Sequence, residues 1–553
     1  MARTLNQVID EATDAYLQNL NLQNPPAPAV VEQELVTKVA DEIALENQYR
    51  AKGDKFRAPK SLSFDQIASL MAVLYPIKRI SCAGISADPE YDLLAIYMPD
   101  GPEKGIYTTV EDEFRKIAIQ YNRRLSSHDF AEVMGRLRIL VPRTTRCMNR
   151  DLIAVDNGIF NYATKTLQPF SEDYVFMAKS HVAYNPNAIN VPITEPDGSI
   201  WDIETWMSGL SDDPEVINVL WQILGAIIRP LVRWNKSAWF YSESGNNGKG
   251  TLCELMRQLC GESSYTAIPL CDFSKDFVLE PLTRSTAIIV DENDVGTFID
   301  KAANLKSVIT NDVIMVNRKF KMPISYQFYG FMVQCLNEFP RIKDKSDSFY
   351  RRQLFIPFDK CFTGQEKKYI KEDYLHRQAV LEYVLYRVLN MPDYYKLDEP
   401  ESCVKVLNEY KDFNNPVRQF FEEMSPLFKW DLLPFSFLYE LYKAWFRKNA
   451  PNGQLQSRNT FIPDIINIAT STGNWYCLDK SKNIRSGNRM DDPEPLIAMY
   501  DLADWKNPRY TGNDIDRIST TEVKPFYRGL LRYNGTMITS DDTDDSVTGG
   551  DGE

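Results

Sequence analysis

Residues 237–261 read SAWFYSESGNNGKGTLCELMRQLCG. An apolar run with strand character passes straight into a loop of small residues, and a helical pattern follows at once. This setting suits phosphate binding. Small residues let successive backbone N–H groups converge on phosphate oxygens, and the helix N-terminus adds its field. The candidate phosphate-binding residues are Ser244, Gly245, Asn246, Asn247, Gly248, Lys249, Gly250 and Thr251, with Lys249 reaching the β- and γ-phosphates. Two positions depart from the usual pattern. Glu243 stands where the first motif glycine belongs, and Gly250 where a metal-holding hydroxyl belongs. Thr251, one place later, is expected to share the metal.

Further along, STAIIVDEND sets four apolar residues before Asp291 and Glu292. A buried parallel strand ending in two acids puts both carboxylates at the sheet edge that carries the phosphate loop. Asp291 is expected to hold Mg²⁺ through water, and Glu292 to polarise the attacking water. In YGFMVQCLNEFPRI a third apolar strand ends at Asn337, whose amide can orient that water and sense the γ-phosphate. In DKSDSFYRRQLFIPF, Arg351 and Arg352 precede a fourth strand. An arginine there suits the γ-phosphate held by a neighbouring subunit, since delocalised positive charge stabilises the transferring phosphoryl group. Between the acids and Asn337 lies VIMVNRKFKMPISYQF, with Arg318, Lys319, Phe320 and Lys321 at a turn. Cations around an aromatic ring suit a phosphodiester backbone with stacked bases. Each feature has an ordinary reading alone: a Gly/Asn turn, a chance acidic pair, an Asn before Pro340, solvated basic turns. Their order along one chain carries the argument.

Strand and helix alternate over about 238–360, as in an α/β nucleotide-binding domain. An apolar helix at 214–232 leads in, and helices are expected over 366–395. Upstream, 1–22 reads as a helix, NLQNPPAPAVV as a linker, and a helical block runs to about 80, with mixed strands and helices beyond. Downstream, PFSFLYELYKAWFRKNAP opens a small helical domain, and the acidic, Gly-rich tail reads as disordered. The expected domains are 1–95 (helical, for loading or oligomerisation), 96–204 (mixed α/β), 205–395 (motor), 396–535 (C-terminal domain) and 536–553 (tail).

At 553 residues, and roughly 150 per domain, three or four domains are expected. The net charge of −13 argues mildly against phosphate partners, but it is a global sum. Six of the acids, Asp541, Asp542, Asp544, Asp545, Asp551 and Glu553, crowd the tail, and a ring needs only a basic inner surface. Nine scattered cysteines without a C-x-x-C pair point away from disulfides and zinc ribbons. His128, His181 and His376 are too far apart for a His-based metal site. No apolar run nears the roughly 20 residues of a membrane span, and the acidic N-terminus is unlike a signal peptide. A cytoplasmic protein is expected.

The ordered set GNNGKGTL, IIVDEND and LNEFPRIKDKSDSFYRRQLFIPF resembles superfamily 3 helicases, the AAA+ motors of small viruses, phages and plasmids. More narrowly it resembles the helicase half of phage and plasmid primase-helicases, including the glycine after the P-loop lysine. NRKFK resembles the pre-sensor hairpin of papillomavirus initiator helicases, with Phe320 where their histidine stands. PFSFLYELYKAWFRK and KSKNIRSGNR are similar to the winged-helix-like region that follows such motors. The resemblance covers about 205–360 closely and 100–200 more loosely. It implies an AAA+ P-loop core with a mixed α/β N-terminal region and a winged-helix-like C-terminal domain. It further implies a hexameric ring with ATP and Mg²⁺ between subunits, Arg352 acting in trans, and Lys319 and Phe320 gripping single-stranded or forked DNA, moving 3′ to 5′. Unwinding of the origin and fork of a mobile element in a bacterial host, with host replication proteins as partners, would follow. An origin-binding initiator ATPase with little unwinding would use the same motor. A P-loop kinase or signalling ATPase would have no need of Arg351, Arg352 or the NRKFK hairpin. Asp88 and Asp92 are a poor match to a primase metal pair, with no histidine before His128.

Overall fold

The computed structural model describes residues 3–84, 86–364, 366–449, 455–519, 523–535 and 543–544. The chain is a mixed α/β protein that divides into units 1–407 and 408–553.

The first unit opens with helices Leu5–Gln18, Pro28–Asn47 and Phe64–Leu74. Thr4 with Gln7 and Ser63 with Gln66 form reciprocal capping boxes, which satisfy N–H groups that a helix start leaves bare. Pro28 is itself the first helical residue, so the Pro-rich linker is shorter than its sequence suggests. A four-stranded sheet follows, ordered 107–108, 93–97, 77–81, 143–145. Helices Glu111–Tyr121 and Ser127–Leu140 complete it. Val8, Leu35, Ile67, Met71, Leu94, Phe114 and Leu137 share one core. The division expected at 95/96 therefore falls inside the strand Leu93–Tyr97. Helices and sheet cover each other's apolar faces and make a single module.

The centre of this unit is a parallel five-stranded sheet. In chain order its strands are β1 (Ser237–Tyr241), β2 (Tyr265–Thr266), β3 (Ala287–Val290), β4 (Phe331–Leu336) and β5 (Gln353–Pro357). Their spatial order is β2-β3-β4-β1-β5. Every residue of β3, β4 and β5 is buried, as expected where helices cover both faces. The apolar helix Pro214–Ile228 buries eleven residues, among them Ile223, Leu224 and Ile227. It shares a core with Leu252, Met256, Phe240, Val333 and Ile356. Trp239 on β1 meets Phe355 on β5 and Phe349 in the short helix before it, with ring centroids 5.3 and 6.1 Å apart.

The second unit includes helix Pro416–Met424, strand Leu432–Pro434, helices Phe435–Asn449 and Arg458–Ser471, and strands Trp475–Tyr476 and Gly529–Arg532, with shorter elements between the last two. The three strands form an antiparallel sheet with 529–532 in the middle. Gly529 must be glycine there, because a Cβ would lie 2.1 Å from the Leu433 carbonyl oxygen. Phe420, Trp430, Leu441, Trp445, Phe461 and Leu530 fill the core. The expected boundary at 395/396 moves: Leu397 and Cys403 belong to the core around the five-stranded sheet, and the division falls within helix Glu401–Asn414. The tail read as disordered contributes a two-residue strand, Thr543–Asp544, paired with Asn483–Ile484. Residues 536–542 and 545–553 lie outside the described residues.

Candidate nucleotide site and basic hairpin

At the C-terminal end of β1 the chain turns through the loop 242–248 into helix Lys249–Cys260. Asn246 and Gly248 adopt left-handed backbone conformations, at φ 52° and 89°. Such turns point neighbouring N–H groups into one concavity, an anion nest. A Cβ on Gly248 would also come within 2.7 Å of Leu210. The buried Asn247 ties the loop by donating from Nδ2 to the Ser244 carbonyl at 2.5 Å.

Lys249 is 5% exposed, and burial holds its ammonium below the usual lysine range. Its Nζ donates to Asn337 Oδ1 at 2.9 Å and to the Ser242 carbonyl at 3.3 Å. The contact with Asn337 follows from sheet order. Leu336 pairs with Tyr241 in the β4/β1 register, so Asn337 emerges beside Ser242. Asp291 and Glu292 emerge from β3, on the far side of β4, and both are exposed. Asn293, just after them, is buried and ties this strand end to β4 by donating to Gln334 Oε1 and the Cys335 carbonyl.

Thr251 lies on the first turn of the helix beside a cavity of about 420 Å³. Trp206, Leu210, Phe362, Lys367 and Lys371 also line it, with Asn246 and Gly248. The segment after β5 is pinned to the loop: the Phe362 N–H donates to the Asn246 carbonyl at 2.7 Å, and Asn246 Nδ2 donates to Glu366 Oε1 at 2.9 Å. Lys371 Nζ lies 3.9 Å from where a Cβ on Gly250 would stand. Sequence reasoning missed Trp206, Phe362 and Lys371. Their one advance signal was the lysine cluster in EKKYIKED, directly after the last strand.

A divalent cation at a phosphate loop takes few protein ligands, because phosphate oxygens and water supply most of its shell. Thr251 and Asp291 offer the oxygen donors such a shell needs. Among the described residues no cluster of three or more acids, histidines or cysteines suits a metal held by protein alone. Asp291, however, is engaged: its Oδ2 forms an ion pair with Arg257 Nη2 at 3.0 Å.

Arg351 and Arg352 stand at the opposite end of the sheet. The Ser237 N–H donates to the Arg352 carbonyl, so both arginines lie at the start of β1 and β5. Five strand residues at about 3.3 Å each separate them from the edge that carries the 242–248 loop, roughly 17 Å. Their side chains differ. Arg352 is folded back onto the Ser348 hydroxyl at 2.9 Å and onto the Ser348 carbonyl. Arg351 is exposed, with no carboxylate partner among the described residues.

The basic segment forms a hairpin of Val313–Arg318 and Lys321–Gln327, inserted between β3 and β4. Phe320 occupies its tip in a left-handed conformation, at φ 59°, and is 96% exposed. Lys319 lies beside it, its ammonium 5.4 Å from the ring centre. The other two expected contacts are occupied. Arg318 donates to the Met322 carbonyl at 2.8 and 3.0 Å, and Lys321 pairs with Glu111 at 2.7 Å. The root of the hairpin is held by Arg146, which donates to Tyr326 Oη at 2.8 Å and to the Gln327 and Cys82 carbonyls at 2.5 and 3.2 Å.

The acids weighed for a primase-type metal site are otherwise employed. Asp92 is 1% exposed, accepts from Arg143 at 2.7 Å and forms an ion pair with Arg79 at 3.0 Å, while Asp88 caps a short turn. A carboxylate already neutralised by two guanidinium groups is a poor cation ligand.

Residues 240–352 match the model of a family of unknown function (DUF5906), and residues 413–507 match a family described as poxvirus D5 protein-like. Curated proteins give no match. Among solved structures, an A form apo structure of the NrS-1 C-terminal region aligns over 80% of this chain and 94% of its own, at 14% identity and a TM-score of 0.40. An apo structure of NrS-1 C-terminal region (305–718) aligns over 74% and 87%, at 11% identity and a TM-score of 0.39. A likeness at that distance assigns no residue a role, and the chain's own geometry carries the reading. No helix among the described residues is long and apolar enough to cross a membrane.

Proposed function

We propose that this chain is an ATP-driven DNA helicase of the replicative type, built on an AAA+ P-loop core and working as a ring, with Mg²⁺ as its metal. The observation that supports it most is the strand order. β4, carrying Asn337, lies between the acidic strand β3 and the P-loop strand β1, and β5, carrying the arginines, flanks β1 on the other side. That order brings Lys249 and Asn337 into contact beside one phosphate nest and sets Asp291 and Glu292 at the same edge. It also puts Arg351 and Arg352 beyond reach of their own nucleotide, so an arginine acting on a phosphate serves a neighbouring subunit.

When bound, the metal supplies charge neutralisation at the phosphates. The chain's own residues do the rest. The 242–248 nest and Lys249 hold the phosphates, Glu292 takes a proton from the attacking water, Asn337 orients it, and Arg351, the freer of the two arginines, reaches across the interface. Lys319 and Phe320 present a cation and a ring to a single strand. The match of residues 413–507 to a viral family and the helix–strand–helix–helix–strand–strand order of residues 416–485 accord with a winged-helix-like domain after the motor, in a mobile-element replication protein.

The test is hydrolysis with and without single-stranded DNA, strand displacement on a forked duplex, and particle symmetry by electron microscopy with both ligands present. Stimulated turnover, displacement and a closed ring are expected. A monomer whose hydrolysis ignores single strands overturns the reading. Stimulation without displacement favours the initiator that only assembles or melts.

A further inference from the structure

Arg257 lies two turns along the P-loop helix from Lys249, and nothing in the site reading employs it. Its guanidinium reaches back toward the sheet edge and is shared by two carboxylates. Nη2 meets Asp291 Oδ2 at 3.0 Å, and Nη1 stands 3.6 Å from Glu254 Oε2. Glu254 has further partners: Gln258 Nε2 at 2.8 Å and His376 Nε2 at 3.4 Å. The arginine is 17% exposed and its stem is packed, whereas Asp291 is 43% exposed and faces the nucleotide edge. The lining of a neighbouring cavity of about 640 Å³ includes Arg257, Glu254 and His376, so the guanidinium has room to move away from Asp291.

A guanidinium in contact with a carboxylate cancels its charge and occupies one of its two oxygens. A hydrated divalent cation asks the same carboxylate for its charge and an oxygen. Two cations on one carboxylate oppose each other, and the effect is strong where solvent is partly excluded. We infer that Arg257 is a latch on Asp291: in the nucleotide-free chain it holds the carboxylate, and it yields to Glu254 when a divalent cation takes Asp291. Glu254 is poised as the alternative partner, so the guanidinium never loses a counter-charge. The latch sets a cost that the divalent cation must meet before it joins the nucleotide, and meeting it takes only a small movement of side chains on the P-loop helix. It rests on the nucleotide-site reading above, with Arg257 as a positioning residue that acts through Asp291.

The test is calorimetric titration of ADP into the full chain, once in EDTA and once in Mg²⁺, for wild type, Arg257→Gln, Arg257→Lys, Asp291→Asn and the Arg257→Gln/Asp291→Asn double variant. The quantity read is the gain in affinity that Mg²⁺ confers. Arg257→Gln is expected to enlarge that gain on the order of 5- to 20-fold, the usual span of coupling between linked sites. Arg257→Lys, which keeps the charge and guards against misfolding, is expected to stay near wild type. Asp291→Asn should show little gain with either residue at 257. An unchanged or smaller gain in Arg257→Gln, with ADP still bound, overturns the latch and leaves the nucleotide site standing. No ADP binding by wild type in either buffer overturns both.

Discussion

Replacing Asn337 separates the holding of Lys249 from the chemistry at the phosphate. In the resting chain Asn337 accepts from a nearly buried ammonium at 2.9 Å, and the Ser242 carbonyl remains as a second acceptor at 3.3 Å. A hydrogen bond to a charged group contributes about 1.5–3 kcal/mol. Asn337→Ala forfeits it in the resting state, but the lysine must turn toward phosphate on binding in any case. Affinity for ATP should therefore stay within about tenfold of wild type, which is about 1.4 kcal/mol. Turnover is another matter. Loss of one fixed polar group that meets the reacting centre costs about 2.7–4 kcal/mol, or 10²–10³ in rate. Asn337→Asp should do the reverse. A carboxylate in this place pairs with Lys249 and stands near the incoming phosphate. At about 4 Å and an effective dielectric of about 20, the repulsion is about 4 kcal/mol, near 10³ in Kd. A fluorescent ATP analogue reads binding and phosphate release reads turnover. The reasoning is refuted by an alanine variant that turns over within about threefold of wild type, or an aspartate variant that binds ATP normally.

Three further outcomes are expected. Arg351→Ala should lower turnover about 10³-fold or more, and mixing it with Glu292→Gln subunits should restore part of the activity, because some interfaces then pair an intact arginine with an intact glutamate. Absence of any recovery in a mixing titration argues for a site complete within one chain. Phe320→Ala with Lys319→Ala should weaken binding to single-stranded DNA by at least tenfold without regard to sequence, since stacking of one base contributes about 1–3 kcal/mol; equal retention on filters places the hairpin off the DNA path. Asp92→Ala strands Arg79 and Arg143 without their counter-charge and should destabilise the first unit by about 3–5 kcal/mol, read as a lower denaturant midpoint. A loss below about 1 kcal/mol would show that solvent reaches both arginines.

The 242–248 turn was legible in the sequence because its geometry is local: strand, loop and helix are contiguous. Asp291, Glu292 and Asn337 were equally readable, since each ends an apolar run and a parallel sheet brings such ends to one edge. Pairings between separate segments were not. Arg257 is one of many polar residues on its helix, and only the packed sheet shows that it reaches Asp291. Trp206, Phe362 and Lys371 come from segments more than 150 residues apart and meet only around the cavity. Arg351 and Arg352 are equivalent in sequence, and the turn after Ser348 is what exposes one and folds the other back. The same holds for the hairpin, where four residues looked alike and two already have partners within the chain. The strand Leu93–Tyr97, buried along most of its length, gave no alternation to mark it as part of the N-terminal sheet.

The grip of Arg146 on Tyr326, Gln327 and Cys82 makes the basic hairpin a cantilever. Its free end carries Phe320, and its root is bolted to the strand ends of the 77–145 sheet as well as to β3 and β4. A load on the tip is thus borne by the front of the chain. A shortened protein that begins after residue 150 would keep every residue of the candidate nucleotide site and lose the fulcrum.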